Sequence, residues 1–288
     1  MIGLAEYADR PAKRLALAAW SQRSHIKARS PQGFTLVELI AVIVILAITS
    51  VLGAGFITSV IEQYQKAQIR SELVLKGSVA LEQLTRQLRM SVPNSLRVSA
   101  SGACVEFLPL LGGAFYHAQV PDSANGMAPA SAVSTMSFSL GAAVPKHVLV
   151  SPLSTSEIYR VSSPAARVTA GDFGVEPYTQ AVFSAAHSFI RNSLNHRLLI
   201  AADPKRFCVG GDKLVRYQDY GLSVATLTDG SPGGQEVLMS TGVAAGSPAF
   251  ELSLGSEDRN SALEVALVFS DRGEQITLTG RVLVRNVP

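Results

Sequence analysis

Residues 34–61 form one apolar segment that carries a single acid, Glu38, and no proline. As a helix this segment would be about 42 Å long at ~1.5 Å per residue, more than the roughly 30 Å of a bilayer core. A carboxylate in such a helix costs roughly 2.5–3.5 kcal/mol at the centre and less toward the interface. Some interaction must offset that cost, so Glu38 is a functional candidate. Gly33 stands immediately before the segment, and a basic stretch ends just before Gly33. An ordinary secretory signal has a shorter apolar core and a small-residue cleavage site at its far end. A plain signal anchor would explain the apolar run, but neither Glu38 nor the pair Gly33-Phe34.

The octapeptide Gly33-Phe34-Thr35-Leu36-Val37-Glu38-Leu39-Ile40 resembles the cleavage and methylation signature of type IV prepilins and type II secretion pseudopilins. The resemblance implies that a prepilin peptidase cuts between Gly33 and Phe34 and that Phe34 is then N-methylated. It also implies an assembly role for Glu38, which would meet the cationic N-terminus of a neighbouring subunit during docking. The implied partners are prepilin peptidase, other major and minor pilins or pseudopilins through the N-terminal helix, and the inner-membrane assembly platform.

Residues 1–33 hold six basic residues (Arg10, Lys13, Arg14, Arg23, Lys27 and Arg29) against Glu6 and Asp9, a net charge of +4. The remaining 19 basic and 20 acidic residues leave the rest of the chain at −1. That balance argues against a large nucleic-acid-binding face. The positive-inside rule puts the basic leader in the cytoplasm and the rest in the periplasm. The expected divisions are a leader at 1–33, a transmembrane and filament-core helix at 34–61, an amphipathic second half at 62–92 and a periplasmic β-rich head at 93–288. The leader is long for the family. Its apolar patch at 15–20 either rests on the membrane surface or reflects a start assigned too far upstream.

Cys104 and Cys208, the two cysteines of the chain, both fall in the head. The periplasm is oxidising, so a disulfide between them is expected, with two buried free thiols as the alternative. The bridge would close a loop of about 100 residues, worth up to roughly 4.7 kcal/mol in the entropic account.

Beyond the apolar segment the periodicity stays helical. Leu73, Gly77, Ala80, Leu81, Leu84 and Leu88 recur at spacings of three and four, one apolar stripe. Glu62/Lys66, Glu72/Lys76 and Glu82/Arg86 have the spacing of i,i+4 ion pairs. Pro93 stops the helix. Gly53 and Gly55 weaken it within the apolar half, either to let it bend or to let another helix pack closely.

From residue 99 the pattern changes to short β-like runs, at 104–108, 114–120, 135–140, 147–150, 157–161, 206–209, 213–217, 223–227, 250–254, 263–270 and 275–284. Gly210-Gly211-Asp212 and Asp271-Arg272-Gly273-Glu274 read as hairpin turns. In the last run Ile276, Leu278, Gly280, Val282 and Val284 share one face. Stretches 121–134, 162–172 and 228–248 read as loops, and 181–194 is ambiguous, with a short helix as one reading. The fold class is α+β: a long N-terminal helix packed on an antiparallel β-rich head, as in pilins.

The run 207–217 resembles a hairpin of larger minor pilins and J-type pseudopilins. The ending 273–288 resembles the C-terminus of the O-type minor pilin of mannose-sensitive haemagglutinin pilus systems. These resemblances favour a minor component, with a J-like pseudopilin as the runner-up. A tip adhesin or DNA-uptake protein is the alternative of another class, and would need an exposed patch, for which Tyr217, Tyr220 and Arg216 are nearest. Nucleophile elbows, phosphate loops and metal-spaced His/Cys clusters are absent from the sequence, so no catalysis, cofactor or metal is expected. His147, His187 and His196 read as locally bonded residues, and Asp212 and Asp219 as turn residues ahead of calcium ligands.

Overall fold

A computed structural model describes residues 33–160, 162–243, 248–253 and 261–284. Leader residues 1–32, Leu254 and the ending 285–288 lie outside them. The chain divides into two units, Met1–Thr58 and Ser59–Pro288.

Helix α1 (Leu36–Arg89) begins in the first unit. There none of its side chains is buried, and its most apolar window has a mean hydropathy of 2.7. It is long and apolar enough to cross a membrane. In the second unit α1 buries Ile69, Leu73, Gly77, Ala80, Leu84 and Leu88, the stripe that the spacing marks. Leu81 packs at the edge of that stripe, half-buried.

Among the described residues, the second unit continues through β1 (Arg97–Val98), β2 (Cys104–Phe107), β3 (Leu110–Phe115), β4 (Ala130–Phe138) and β5 (His147–Val150). The short helix α2 (Thr155–Ile158), β6 (Arg167–Thr169), β7 (Tyr178–His187), β8 (Arg197–Ala201), β9 (Lys205–Gly210) and β10 (Lys213–Gln218) follow. The last strands are β11 (Gln235–Thr241), β12 (Phe250–Ser253), β13 (Ser261–Asp271) and β14 (Glu274–Val284).

Several of these differ from the sequence expectations. Residues 157–160 of the run 157–161 are no strand, and Val161 lies outside the described residues: α2 turns there, with Glu157 held by Arg191 through two bonds of 2.7 Å. The run 223–227 has no strand either, because its carbonyls are bonded by an arginine instead of a neighbouring strand. β6 and β11 occupy stretches expected to be loops, and β8 lies where no strand was expected. β3 and β4 begin earlier than expected, and the ambiguous stretch 181–194 is strand as far as His187.

Two antiparallel sheets take up the helix stripe, one in the order β1-β2-β9-β10-β11 and the other β12-β13-β14. Phe107, Phe207, Leu214, Phe250, Phe269 and Val282 meet it in one core. Close approach depends on Gly77, where a Cβ would lie 2.4 Å from Leu278 Cδ1 and 2.9 Å from Phe269 Cε2. The i,i+4 ion pairs along α1 do not close among the described residues; Glu72 and Lys76 reach the sheets instead, as does Arg70. Arg70 pairs with Glu274 at 2.5 Å, Glu72 with Arg272 at 3.5 Å, and Lys76 donates to Thr241 Oγ1 at 2.8 Å. Both hairpin turns form where expected, with left-handed backbone at Gly211-Asp212 and Arg272-Gly273.

Between β2 and β9 the chain makes a second body. Sheet β3-β8-β5-β6 meets the pair β4-β7 at both edges, through the antiparallel bridges Ala170↔Phe183 and Tyr116↔Thr135. The six strands thus close a ring, which leaves no open sheet edge. Phe183, Phe189, Val148, Val150, Leu198 and Ile200 fill it. Leu149, Leu199 and Ala201 point the other way, into a smaller cluster with Val92, Leu108 and Tyr159.

Candidate functional site

At the start of the apolar segment, Gly33, Phe34 and Thr35 precede the helix. The Glu38 N–H donates to Thr35 Oγ1 and the Leu39 N–H to the Thr35 carbonyl, each at 3.2 Å. Thr35 is therefore the N-cap and Glu38 the third helical residue, the spacing of a capping box. Glu38 is exposed in the first turn, where a carboxylate is favoured by the positive end of the helix dipole. The capping role was not part of the sequence reading, although the spacing Thr35-x-x-Glu38 carries it. Phe34 is 80% exposed.

Among the described residues nothing requires position 33 to be glycine. Nothing lies within 4 Å of where its Cβ would be, and its backbone is not left-handed.

The rest of the segment hides its polar groups in itself. Thr49 Oγ1 donates to the Ile45 carbonyl at 2.9 Å, Ser50 Oγ to the Leu46 carbonyl at 2.6 Å, and Thr58 Oγ1 to the Gly55 carbonyl at 2.9 Å. Such bonds are what hydrocarbon demands of a hydroxyl. Glu38 then remains the one ionisable side chain facing outward between residues 34 and 61. Gly53 and Gly55 have nothing within 4 Å, so the fold of this chain alone does not explain them.

In the second unit, Cys104 of β2 and Cys208 of β9 stand directly opposite one another, with Cα atoms 4.2 Å apart, and are joined by a disulfide. Both are buried. The adjacent cross-strand pair on the same face is Glu106 and Arg206. Glu106 is fully buried and accepts from Arg97 Nε at 2.7 Å, Arg206 Nη2 at 2.9 Å and the Tyr220 hydroxyl at 2.9 Å. Burial and the Glu106 charge push the Tyr220 phenol above its usual range. The two guanidiniums also hold the connection between β10 and β11. Arg97 donates to the carbonyls of Ser223 and Ala225, and Arg206 to those of Thr228 and Gly230. This strap lies over the disulfide, where Cys104 Sγ is 3.6 Å from the Asp229 carbonyl. Sequence reading missed the network; the one signal available was two charged residues, Glu106 and Arg206, placed within runs that otherwise read as buried strand.

The remaining candidates separate. Arg216 and Tyr217, adjacent in β10, point to opposite faces, and Tyr220 is bonded to Glu106, so the three make no common patch. Asp212 and Asp219 occupy left-handed turn positions. No group of three or more His, Cys, Asp or Glu side chains suited to a metal occurs among the described residues. His147 Nε2 faces Asp203 at 3.2 Å, His187 Nε2 faces the Ala165 carbonyl at 3.0 Å, and His196 stacks on Tyr116.

The family model of the prokaryotic N-terminal methylation motif matches residues 28–54. No curated protein and no solved structure matches the chain. The motif spans Gly33, Phe34 and Glu38 and supports the type IV pilin and pseudopilin family. It implies processing by prepilin peptidase and assembly with other pilins. With the exposed apolar helix it fits anchoring in the inner membrane.

Proposed function

We propose that the chain is a minor pilin of a type IV pilus of the mannose-sensitive haemagglutinin kind. It enters the inner membrane with its leader in the cytoplasm and its head in the periplasm. Prepilin peptidase cuts between Gly33 and Phe34, Phe34 is N-methylated, and the subunit joins the filament or primes its assembly through α1. The role is one of binding and assembly, not catalysis.

The methylation motif at residues 28–54 carries this reading. The surroundings of Gly33 support it, since a glycine without an internal reason suits a peptidase that needs room beside the scissile bond. Glu38 supplies the docking chemistry. Two opposite charges in a low dielectric offset their desolvation only at close range, so pairing Glu38 with the Phe34 amine of a neighbour selects axial register. The ring of strands inserted between β2 and β9 suits a specialised minor component better than a repeating major subunit. The same motif fits a J-like pseudopilin of type II secretion, and gene neighbourhood distinguishes the two.

The test is co-expression with a prepilin peptidase and intact-mass analysis. The mature chain should begin at N-methyl-Phe34, and Gly33→Val should leave the full precursor. Normal processing of Gly33→Val would remove the assignment.

A further inference from the structure

Beside the C-terminal end of α1 lies a cleft of about 320 Å³ lined by Glu82, Gln83, Arg86, Gln87 and Arg216. Every lining side chain is polar, although the helix here packs on a hydrophobic core. Arg216 projects from β10 toward the helix, and its Nη1 donates to Gln87 Oε1 at 3.3 Å. Its Nε is enclosed and has no partner. A guanidinium carries five N–H donors, so this one is under-used; the enclosed Nε is out of reach of a ligand in the cleft, and binding would fall to the Nη groups. Arg86 is exposed and forms no ion pair among the described residues, Glu82 included. Lys205 of β9 shares the positive field: burial and the Arg216 charge lower its pKa, and Asp219 offsets only part of this. Against these three cations stand the carboxylates of Glu82 and Asp219 and about half a negative charge from the helix end, so what marks the cleft is the unmet donor capacity of its two guanidiniums rather than a large excess of charge.

We propose that this cleft binds a small oxyanion, a phosphate or a carboxylate, held by the forks of Arg216 and Arg86 with the amides of Gln83 and Gln87 at its rim. Guanidinium forks match the paired oxygens of such groups. Glu82 stands at the rim as a competing carboxylate and weakens binding. The site does not depend on the pilin reading.

The test uses the full-length chain in detergent micelles. Its unfolding midpoint is followed against inorganic phosphate, and separately against acetate, each compared with chloride at equal ionic strength. Phosphate stabilises folded proteins generally by exclusion from their surface, so the informative quantity is the difference from Arg216→Gln and Arg86→Gln. The wild type should show a saturable rise that both variants lose. Glu82→Gln should tighten binding by about threefold or more, because it removes a like charge from the rim. A response to phosphate alone assigns a tetrahedral anion, and a response to acetate as well admits a carboxylate. Should Arg216→Gln fail to fold, the exposed positions Arg86 and Glu82 carry the test. Equal responses of wild type, Arg86→Gln and Glu82→Gln to both anions would overturn the site.

Discussion

Arg206 and Glu106 face each other across β9 and β2, Nη2 donating to Oε2 at 2.9 Å, with the Glu106 side chain wholly shielded from solvent. Arg97 approaches the same carboxylate from β1, and both guanidiniums extend to carbonyls of the strap. One buried acid thus pairs with two guanidiniums, which in turn fix the β10–β11 connection over the disulfide.

Replacing Glu106 by Gln keeps the shape and removes the charge. Breaking a buried pair by deleting one partner typically costs about 3–5 kcal/mol, because the remaining charge stays buried. Urea unfolding of the full chain in detergent should show a loss of that order. Limited proteolysis should then cut within 219–234, where the wild type resists. A loss of under about 1 kcal/mol with unchanged proteolysis would show that the strap is held by other means.

The disulfide beneath the strap should be sheltered. Cys104 is fully buried and Cys208 is 5% exposed. Thiol labelling of the native chain should find no free thiol, with or without urea, unless reductant is present. Dithiothreitol should reduce the bridge slowly in native buffer and quickly in urea. Labelling of two cysteines in urea without reductant would exclude the bridge. Because the cross-link closes a separation of 104 residues, its loss should lower stability by up to about 4.7 kcal/mol in the entropic account.

What could be read from the sequence followed periodicity that one face alone imposes. The stripe Leu73, Gly77, Ala80, Leu84 and Leu88 and the alternation Ile276, Leu278, Gly280, Val282 and Val284 were visible because each element buries a single side. β8 was missed for the opposite reason. Leu198 and Ile200 enter the ring while Leu199 and Ala201 enter the cluster beside Val92, so Arg197–Ala201 shows an unbroken apolar run without alternation. β11 was assigned to a loop because most of its side chains are exposed. The closing of six strands into a ring rests on single bridges, Tyr116↔Thr135 and Ala170↔Phe183, which leave no periodic pattern in the sequence. At the N-terminus, Gly33, Phe34 and Glu38 stood out because they lie in one linear motif, which the family model also spans. The Arg216 cleft did not, since helix and strand bring its residues together only in three dimensions.

His147 should make the head acid-sensitive. It is buried in β5, with Arg167 Nη1 against Nδ1 at 3.4 Å and Asp203 against Nε2 at 3.2 Å. The neutral ring with its proton on Nε2 satisfies both neighbours, whereas a second proton on Nδ1 would face the guanidinium. Burial first, and Arg167 second, lower its pKa from 6.5 to about 4, although Asp203 opposes them. Between these values the unfolded chain binds more protons than the folded one, so this contribution is complete above the unfolded pKa and is lost as pH falls. Going from pH 7 to pH 5 should cost about 2 kcal/mol from this group. His147→Gln should flatten that part of the profile in urea titrations at the two pH values. An unchanged pH dependence in the variant would assign the acid sensitivity elsewhere.

The last prediction concerns Glu38. If it acts in assembly, removing its charge should leave cleavage intact, since the peptidase acts at Gly33. Glu38→Val should also insert normally, because the change makes the segment more apolar. The N-cap bond from the Glu38 amide to Thr35 uses the backbone and survives the substitution, so the helix start should persist. What should fail is entry into the filament or activation of its assembly. The competing account is that Glu38 sits at the interface and reaches water along its own methylenes. That account requires the variant to assemble like the wild type. Processed protein is therefore measured in the membrane and in sheared filaments from the same cells. A register role requires normal processed protein in the membrane together with a marked loss of that subunit from filaments, or of filaments altogether. Wild-type recovery in filaments, with normal filament number, would leave Glu38 as an interfacial residue and nothing more.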